Sequence, residues 1–376
     1  MPFRAADPAT TPIRLLEPNG VLVENEDNAE FHAIVDSFDT TMLLSMHRDM
    51  VRTRRFDHAA ANLQRQGQLG LWVPSHGQEA AQVGSAHALR PQDHLFPSYR
   101  EHAVALVRGV EPLEIIGVFR GLAHGGWNPD ERGNVHIYTL VIGSQTLHAA
   151  GYATGQQLDG AVGTGDPARD ECTVVYFGDG ATSQGDVSEA MVFARSSDAP
   201  LVFFLQNNRW AISVPVAVQS PTPLVDRPRG FGIPSARIDG NDVLVSYAAT
   251  RIAAEAARAG SGPRFIEADT YRIGAHTSSD DPTRYRGDDE LEAWVRRDPI
   301  LRFEAFLRSR GVGDAEFAAI DAEADELAHE VRAGTPALVD PPLEAMFDHV
   351  YRDPHPRIDE QRAWLQQYEA SFGASS

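Results

Sequence analysis

Three short apolar runs in the middle of the chain most constrain its fold. They are "CTVVYF" at 172–177, "LVFFL" at 201–205 and "RFIEAD" at 264–269, and they are rich in β-branched and aromatic residues. The segment between the first two runs has helical spacing of small and apolar residues at Val187, Ala190, Met191 and Ala194. A second helical pattern, "DVLVSYAATRIAAEAARAG", precedes the third run. This alternation predicts an α/β fold with a doubly wound, mainly parallel sheet flanked by helices.

The rest of the chain indicates how the domain is bounded. Residues 1–40 are Pro-rich and polar, which predicts an extended N-terminal arm. Residues 41–335 are predicted to form the α/β domain, with helices from about Asp288 onward making a helical C-terminal part. Residues 336–376 are predicted to be a C-terminal tail and helix.

Composition excludes several classes of function. The formal net charge of -20 and a pI near 5.0 argue against a nucleic-acid partner, since phosphate backbones need a basic surface. All 33 basic residues are arginine, so Schiff-base, pyridoxal phosphate and Walker-lysine chemistry are excluded. We find no apolar run of about 18 residues and no signal pattern, and therefore predict no membrane partner and a cytoplasmic location.

Two strand ends carry the residues that suggest chemistry. Asp179 lies between two glycines directly after the first apolar run, and Asn207 and Asn208 follow the second. Ligands of open α/β sheets bind beyond the carboxyl ends of the strands. A dinucleotide fingerprint would need glycine at 183, where this chain has serine.

Asp179 and Asn208 together offer hard oxygen donors to a cation. A carboxylate oxygen, an amide oxygen and a backbone carbonyl, which we assign to Trp210, suit Mg²⁺ or Ca²⁺ together with two diphosphate oxygens and a water. The alternative interpretation is structural: Asp179 caps a helix, and the two asparagines form a turn. The residues alone leave both interpretations open.

The spacing Gly-Asp-Gly, 26 residues, Asn-Asn resembles the thiamine diphosphate fingerprint of the transketolase and 2-oxo acid decarboxylase superfamily. The segments "GQEAAQVGSAHALRPQDHLFPSYREHAVALVRG", "RIDGNDVL" and "TYRIGAHTSSDDPTRYR" extend the likeness. From about residue 41 to the C-terminal region, the chain resembles the alpha subunit of the thiamine diphosphate-dependent decarboxylase (dehydrogenase) component of 2-oxo acid dehydrogenase complexes. The branched-chain (2-oxoisovalerate) type is most similar and the pyruvate type second. The resemblance implies a thiamine diphosphate-binding fold, with 41–335 as its diphosphate half.

The resemblance also implies roles for individual residues. Mg²⁺ would be held by Asp179, Asn208 and the Trp210 carbonyl. Backbone amides of Gly180 and Ala181 would bind the diphosphate. Three further side chains match cofactor contacts of the family: Tyr99, Arg100 and His276. The resemblance also implies that His276 is a catalytic residue that takes part in proton handling. Ile142 matches a position beside the aminopyrimidine, although core packing is its simpler interpretation.

The chain departs from the family at several positions. Gln206 replaces a diphosphate-binding arginine of some members, so Arg100 and His276 are expected to carry more of the anion. Ser98 replaces a glutamine of many members, and "NVHIYTLVIGSQTL" replaces a longer segment of the active-site wall. These departures put substrate size and local loop structure in question.

Function and partners follow from the same resemblance. It implies an oxidoreductase subunit that decarboxylates a branched-chain 2-oxo acid and reductively acylates the lipoyl group of an acyltransferase component. No position here can be assigned to the family's glutamate that activates the cofactor, so a beta subunit is expected to supply it in an assembly of two alpha and two beta chains. The alternatives are a pyruvate dehydrogenase alpha subunit, a transketolase-like enzyme and a non-catalytic assembly subunit. We expect no phosphorylation at Thr277, Ser278 or Ser279, the region phosphorylated in animal relatives.

Overall fold

The computed structural model describes residues 12–26, 28–122, 126–348 and 350–373. They divide into two compact units, one ending at Pro336 and one beginning at Ala337. Among the residues that the structure describes, no helix combines the length and apolar character needed to cross a membrane. The remaining parts of the predicted arm and tail, residues 1–11 and 374–376, lie outside the described residues.

A parallel sheet forms the centre of the first unit. The strands of the described chain are β1 His94–Phe96, β2 Thr173–Gly178, β3 Leu201–Asn207, β4 Trp210–Ala211, β5 Val214–Pro215, β6 Ser235–Asp239 and β7 Arg264–Asp269. Five of them pair in parallel in the order β1-β2-β3-β7-β6, while β4 and β5 form a small antiparallel hairpin. The predicted α/β class with a mainly parallel sheet is confirmed.

Helices surround this sheet and continue beyond it. Their bounds are α1 Ala29–Val35, α2 Thr40–Arg65, α3 Glu79–His87, α4 His102–Val107, α5 Pro112–Arg120, α6 Ser144–Leu158, α7 Gly185–Ser196, α8 Val216–Gln219, α9 Val243–Arg258, α10 Asp288–Val295, α11 Pro299–Ser309, α12 Asp314–Gly334 and α13 Pro356–Gly373. The predicted helices between and after the strands are therefore present. A 3-10 helix, Asp179–Ser183, lies between β2 and the start of α7 at Gly185.

The sheet is doubly wound, with helices packed on both faces, and alternate side chains of each strand point to opposite faces. Val174 and Tyr176 of β2 join the apolar cluster that includes α3 and α9, while Val175 and Phe177 join the cluster of α6 and α7 on the other face. α3 and α9 approach closely at Gly84, where a Cβ atom would lie 2.5 Å from the carbonyl oxygen of Val243. The small residues in α3 permit this contact.

The predicted arm is only partly extended. Leu15 and Leu16 are fully buried, and both backbone amides donate to Asp242 Oδ2 at 2.7 Å. The prediction of an extended segment is wrong for α1, which buries Phe31 and Val35 on one side of a helix. The arm is thus tied to α9 through the N-cap residue Asp242.

Two strands of the sheet were not predicted. β1 has only three residues, and β6, "SARID", alternates polar and apolar residues with Arg237 half-buried. Both are edge strands of the main sheet. A short or polar edge strand has too few apolar residues to stand out in the sequence.

The second unit is short and helical. It contains a 3-10 helix, Leu343–Phe347, and α13. Trp364 and Tyr368 stack one turn apart on α13, with ring centroids 5.3 Å apart, and both are exposed.

Candidate functional site

A cavity of about 160 Å³ opens at the carboxyl ends of β2 and β3. Each of the residues singled out from the sequence lines it: Tyr99, Arg100, Ile142, Asp179, Gly180, Ala181, Asn208, Trp210 and His276. They come from separate segments of the chain. Ile142 is 39% exposed, which does not fit a side chain that only packs in a core.

The register of the sheet brings the two strand ends together. Gly178 of β2 pairs with Gln206 of β3, so Asp179 and Asn208 leave neighbouring strands at the same edge. Asp179 is 1% exposed and Asn208 is 6% exposed. One end of the Asn208 amide lies 3.2 Å from Asp179 Oδ1 and 3.2 Å from the Trp210 carbonyl oxygen.

This geometry permits two arrangements of the Asn208 amide. An NH₂ group facing Asp179 and Trp210 donates to both oxygens, whereas an amide oxygen there completes a cluster of three oxygens that needs a cation. Adjacent ligands of an octahedral Mg²⁺ lie about 3.0 Å apart. The two distances from the Asn208 amide to Asp179 and Trp210 are therefore compatible with Mg²⁺.

Among the residues that the structure describes, the Asp179 carboxylate forms no ion pair within 4.0 Å, although the charge of Arg272 acts on it from farther away. Burial raises the pKa of Asp179, and a hydrogen bond to Oδ2 from Gln219 Nε2 at 2.9 Å opposes the rise. Within the described ranges, no group of three or more His, Cys, Asp or Glu side chains could hold a metal ion. A cation here would thus need anionic oxygens from a ligand as well.

The backbone around these oxygens is unusually shaped. A Cβ atom on Gly180 would lie 2.9 Å from the Cβ of Ala211, so glycine allows the turn after β2 to approach the β4–β5 hairpin. Arg209 and Ile212, on either side of the hairpin's first strand, have φ angles of 76° and 55°. Left-handed conformations of such residues are strained, and they direct the Trp210 carbonyl towards Asn208.

Arg100, Tyr99 and His276 form a second group of side chains in the cavity lining. Arg100 is 5% exposed and donates from Nη1 to the Pro74 carbonyl at 2.5 Å and from Nη2 to the His276 carbonyl at 3.0 Å. The Tyr99 ring stands edge-on to the His276 ring, with centroids 6.3 Å apart. The structure thus brings together the three side chains predicted to contact a diphosphate.

His276 is held as a neutral imidazole. Burial and, next, the charges of Arg100 and Arg272 lower its pKa to about 3. Its Nδ1 lies 3.2 Å from Arg100 Nη2 and 3.3 Å from Arg272 Nη1. Because guanidinium groups only donate, Nδ1 accepts and the proton resides on Nε2.

Arg272 is a residue of the site that sequence reasoning missed. It is fully buried and donates to the Trp210 carbonyl from Nη1 and to the Ile212 carbonyl from Nη2, both at 2.9 Å. Nη2 also donates to the Tyr285 hydroxyl at 3.2 Å. Its position three residues after the end of β7 and four residues before His276 was the signal that could have identified it.

Asp57 on α2 holds the chain segment that contacts Arg100. Its carboxylate accepts from Trp72 Nε1 at 2.6 Å and from the backbone amides of Ser75 and His76 at 3.2 and 3.1 Å. It therefore shapes the loop whose Pro74 carbonyl anchors Arg100. Burial raises the pKa of Asp57 to about 7.

Buried polar atoms beside the cavity call for a ligand. Within the described residues, Gln78 Nε2 and Gln145 Oε1 are buried without a hydrogen-bond partner, and both side chains line the cavity. Unsatisfied groups of this kind are rare in folded proteins. A polar ligand would satisfy them.

Comparison with known proteins identifies the family. Residues 47–335 match the model of the dehydrogenase E1 component. The chain belongs to the dehydrogenase E1 component family. Membership confirms the predicted family and the oxidoreductase class, and dehydrogenase E1 components in general depend on thiamine diphosphate.

Curated relatives of this E1 chain cover most of its length. It is 42% identical over 357 residues to the "3-methyl-2-oxobutanoate dehydrogenase subunit alpha" of Mycobacterium tuberculosis, which spans 94% of this chain and 93% of the relative. It is 37% identical over 302 residues to the "Pyruvate dehydrogenase E1 component subunit alpha" of Staphylococcus aureus, at 80% and 77% coverage.

Proposed function

We propose that the chain is the alpha subunit of a 3-methyl-2-oxobutanoate dehydrogenase that binds thiamine diphosphate with Mg²⁺. One observation supports the proposal: the residues singled out from the sequence line a single cavity, which holds the oxygens of Asp179, Asn208 and Trp210 together with Arg100 and His276. The preference for a branched-chain substrate is supported by the relative named for that activity, which is more similar and covers more of the chain than the pyruvate relatives.

The metal would be bound by oxygens of the strand ends. Asp179 Oδ1, the Asn208 amide oxygen and the Trp210 carbonyl would hold Mg²⁺, and Gly180 and Ala181 would offer backbone amides to the diphosphate. The cation would offset the buried charge of Asp179, whose pKa is raised by burial. The Arg272 bond to the Trp210 carbonyl uses one lone pair and leaves the other free for the metal.

The diphosphate would be bound by the second group of side chains. Arg100 would contribute charge, Tyr99 a phenolic hydroxyl and His276 its Nε2 proton, while Ile142 would border the aminopyrimidine. When bound, thiamine diphosphate supplies the nucleophilic carbon and the electron sink for decarboxylation of a 2-oxo acid. The chain's own residues would bind and orient that group, and His276 would offer it the proton held at Nε2.

The active site would be completed by other subunits. The glutamate that activates the cofactor is assigned to no residue of this chain, so a beta subunit would contribute it in an assembly of two alpha and two beta chains. The acyl product would pass to the lipoyl group of an acyltransferase component. We place this assembly in the cytoplasm, with a role in branched-chain amino acid catabolism.

Cofactor binding is tested by calorimetry on the assembled alpha and beta chains. We expect thiamine diphosphate with Mg²⁺ to bind the wild type and to lose at least about 100-fold in affinity in Asp179→Ala, a change of about 2.7 kcal/mol. Asp186→Ala, in the first turn of α7, is the matched control and should bind normally. Undiminished binding in Asp179→Ala would contradict the assignment.

Substrate preference is tested by turnover with a lipoyl acceptor. We expect a higher kcat/KM for 3-methyl-2-oxobutanoate than for pyruvate. A preference for pyruvate would favour the pyruvate dehydrogenase alternative, and turnover that needs no lipoyl acceptor would favour a transketolase-like enzyme. Cofactor binding without any turnover would favour an assembly subunit.

A further inference from the structure

Glu101 is a carboxylate in the wall of a cavity suited to an anion. It is 1% exposed and lines the same cavity as Arg100 and His276. A negative group at this position opposes anion binding rather than assisting it. The hydrogen bonds of Glu101 indicate a different role for this side chain.

The Glu101 carboxylate closes the turn that presents Tyr99 and Arg100. Oε2 accepts from the Ser98 backbone amide and from Ser98 Oγ, both at 2.6 Å. The two bonds span residues 98–101 and fix the backbone from which both side chains enter the cavity. Arg100 then reaches the Pro74 and His276 carbonyls with its guanidinium.

The other carboxylate oxygen ties this turn to the end of β3. Glu101 Oε1 accepts from Gln206 Nε2 at 2.5 Å, and Gln206 lies two residues before Asn208. Gln206 Oε1 in turn accepts from Gln82 Nε2 at 2.9 Å, and that nitrogen also donates to the Arg100 carbonyl at 3.1 Å. Gln206 is therefore bonded at both ends of its amide to the protein itself.

Ser98 and Gln206 thus converge on one side chain, Glu101. We propose that Glu101 is a positioning residue that holds the Ser98–Arg100 turn in the shape that binds the diphosphate, with Ser98 and Gln206 as its partners. Position 206 then acts on the ligand through Glu101 and not as a charge. This inference rests on the proposed function, because it assigns a role within the same cofactor site.

The test uses the reconstituted alpha and beta assembly and thiamine diphosphate at saturating Mg²⁺. In Glu101→Gln the new NH₂ group faces either Gln206 Nε2 or the Ser98 donors, so one link is lost. We expect the Kd of the cofactor to rise about 10- to 30-fold while kcat at saturating cofactor stays within about 3-fold. Glu171→Gln, a partly buried carboxylate beside His94, is the matched control and should leave Kd unchanged.

A double-mutant cycle separates positioning from general destabilisation. Gln206→Met should raise Kd in the wild-type background and add less than about 3-fold in the Glu101→Gln background, because both act through one link. Ser98→Ala removes only the Oγ bond and should raise Kd a few-fold, which provides a readout even if Glu101→Gln does not assemble.

The outcomes distinguish the two proposals. Failure of the wild type to bind thiamine diphosphate overturns the proposed function. Wild-type binding with an unchanged Kd in both Glu101→Gln and Ser98→Ala overturns the positioning role, as does additivity of Gln206→Met and Glu101→Gln. A fall in kcat with an unchanged Kd would make Glu101 a catalytic residue and would also overturn it.

Discussion

The cavity has two sides that differ in how the chain builds them. We call the proposed ligands of the metal the metal side and the proposed contacts of the diphosphate the anion side. The metal side, Asp179, Asn208 and Trp210, comes from one βαβ unit and the hairpin that follows it. The anion side, Tyr99, Arg100 and His276, comes from two loops far apart in the sequence and is held by Asp57, Glu101 and Arg272. Sheet register sets the first, whereas a network of buried hydrogen bonds sets the second.

The two sides also carry opposite electrostatic costs. Burial raises the pKa of Asp179 on the metal side. On the anion side burial, followed by neighbouring arginine charge, lowers the pKa of Arg272 to about 10 and that of His276 to about 3. A ligand that combines a divalent cation with an anion relieves both costs at once. The opposed pKa shifts therefore support the proposal of a ligand that combines a metal ion with a diphosphate.

Arg272 joins the two sides, so its removal should have the largest effect. In Arg272→Met the Trp210 and Ile212 carbonyls lose their donor, and His276 loses a neighbour. We expect the affinity for thiamine diphosphate to fall at least about 100-fold and the half-saturating Mg²⁺ concentration to rise, both measured by calorimetry on the alpha and beta assembly.

Arg284→Met is the control for this change. Arg284 is exposed in the same loop and should tolerate the substitution. Arg272→Lys keeps a charge but cannot reach both carbonyls, and an intermediate loss is expected. If Arg272→Met weakened the binding of only thiamine diphosphate or only Mg²⁺, the two sides would be independent.

The two sides also differ in how well the sequence predicts them. The strands β2, β3 and β7 and the meeting of Asp179 and Asn208 at one edge of the sheet could be predicted, because short apolar runs and their polar ends are local signals. Arg272 and Glu101 could not, because a charged residue beside a strand or helix is usually exposed, and only tertiary contacts bury these two. The short edge strands β1 and β6 were missed for lack of apolar residues.

Arg100→Gln should weaken the anion side alone. The guanidinium contacts Pro74 and His276 but no metal-side oxygen in the described contacts. We expect the Kd for thiamine diphosphate to rise about 10- to 30-fold at saturating Mg²⁺, with little change in the Mg²⁺ concentration needed for half-saturation once cofactor is in excess. An equal shift in both would show that the metal side depends on Arg100.

Asp57 predicts a pH dependence of stability that belongs to the anion side. Burial raises the pKa of its carboxyl from an ordinary value of 3.8 to about 7 in the folded chain, so between these values the folded state binds a proton that the unfolded state releases. The associated stability is present below about pH 4 and is lost as pH rises through 7. We expect the melting temperature of the wild type, relative to Asp57→Asn, to fall by a few degrees between pH 5 and 8. A constant difference across that range would contradict the raised pKa.

The smallest expected effect concerns His276. With a pKa lowered to about 3 it is neutral in the free site above pH 5, and its Nε2 proton is available to an anion without prior protonation. A bound diphosphate would raise the pKa of His276. If that pKa reached the pH range of the assay, binding would take up a proton and the affinity would increase as pH falls. Two lowering charges, Arg100 and Arg272, remain beside the ring and oppose that rise. We therefore expect wild type and His276→Gln to differ in cofactor affinity by only a few-fold, with parallel pH dependence from 6 to 8 in calorimetry. A steeper pH dependence of affinity in the wild type would show that His276 becomes protonated when the anion binds and that the net charge of the anion side changes.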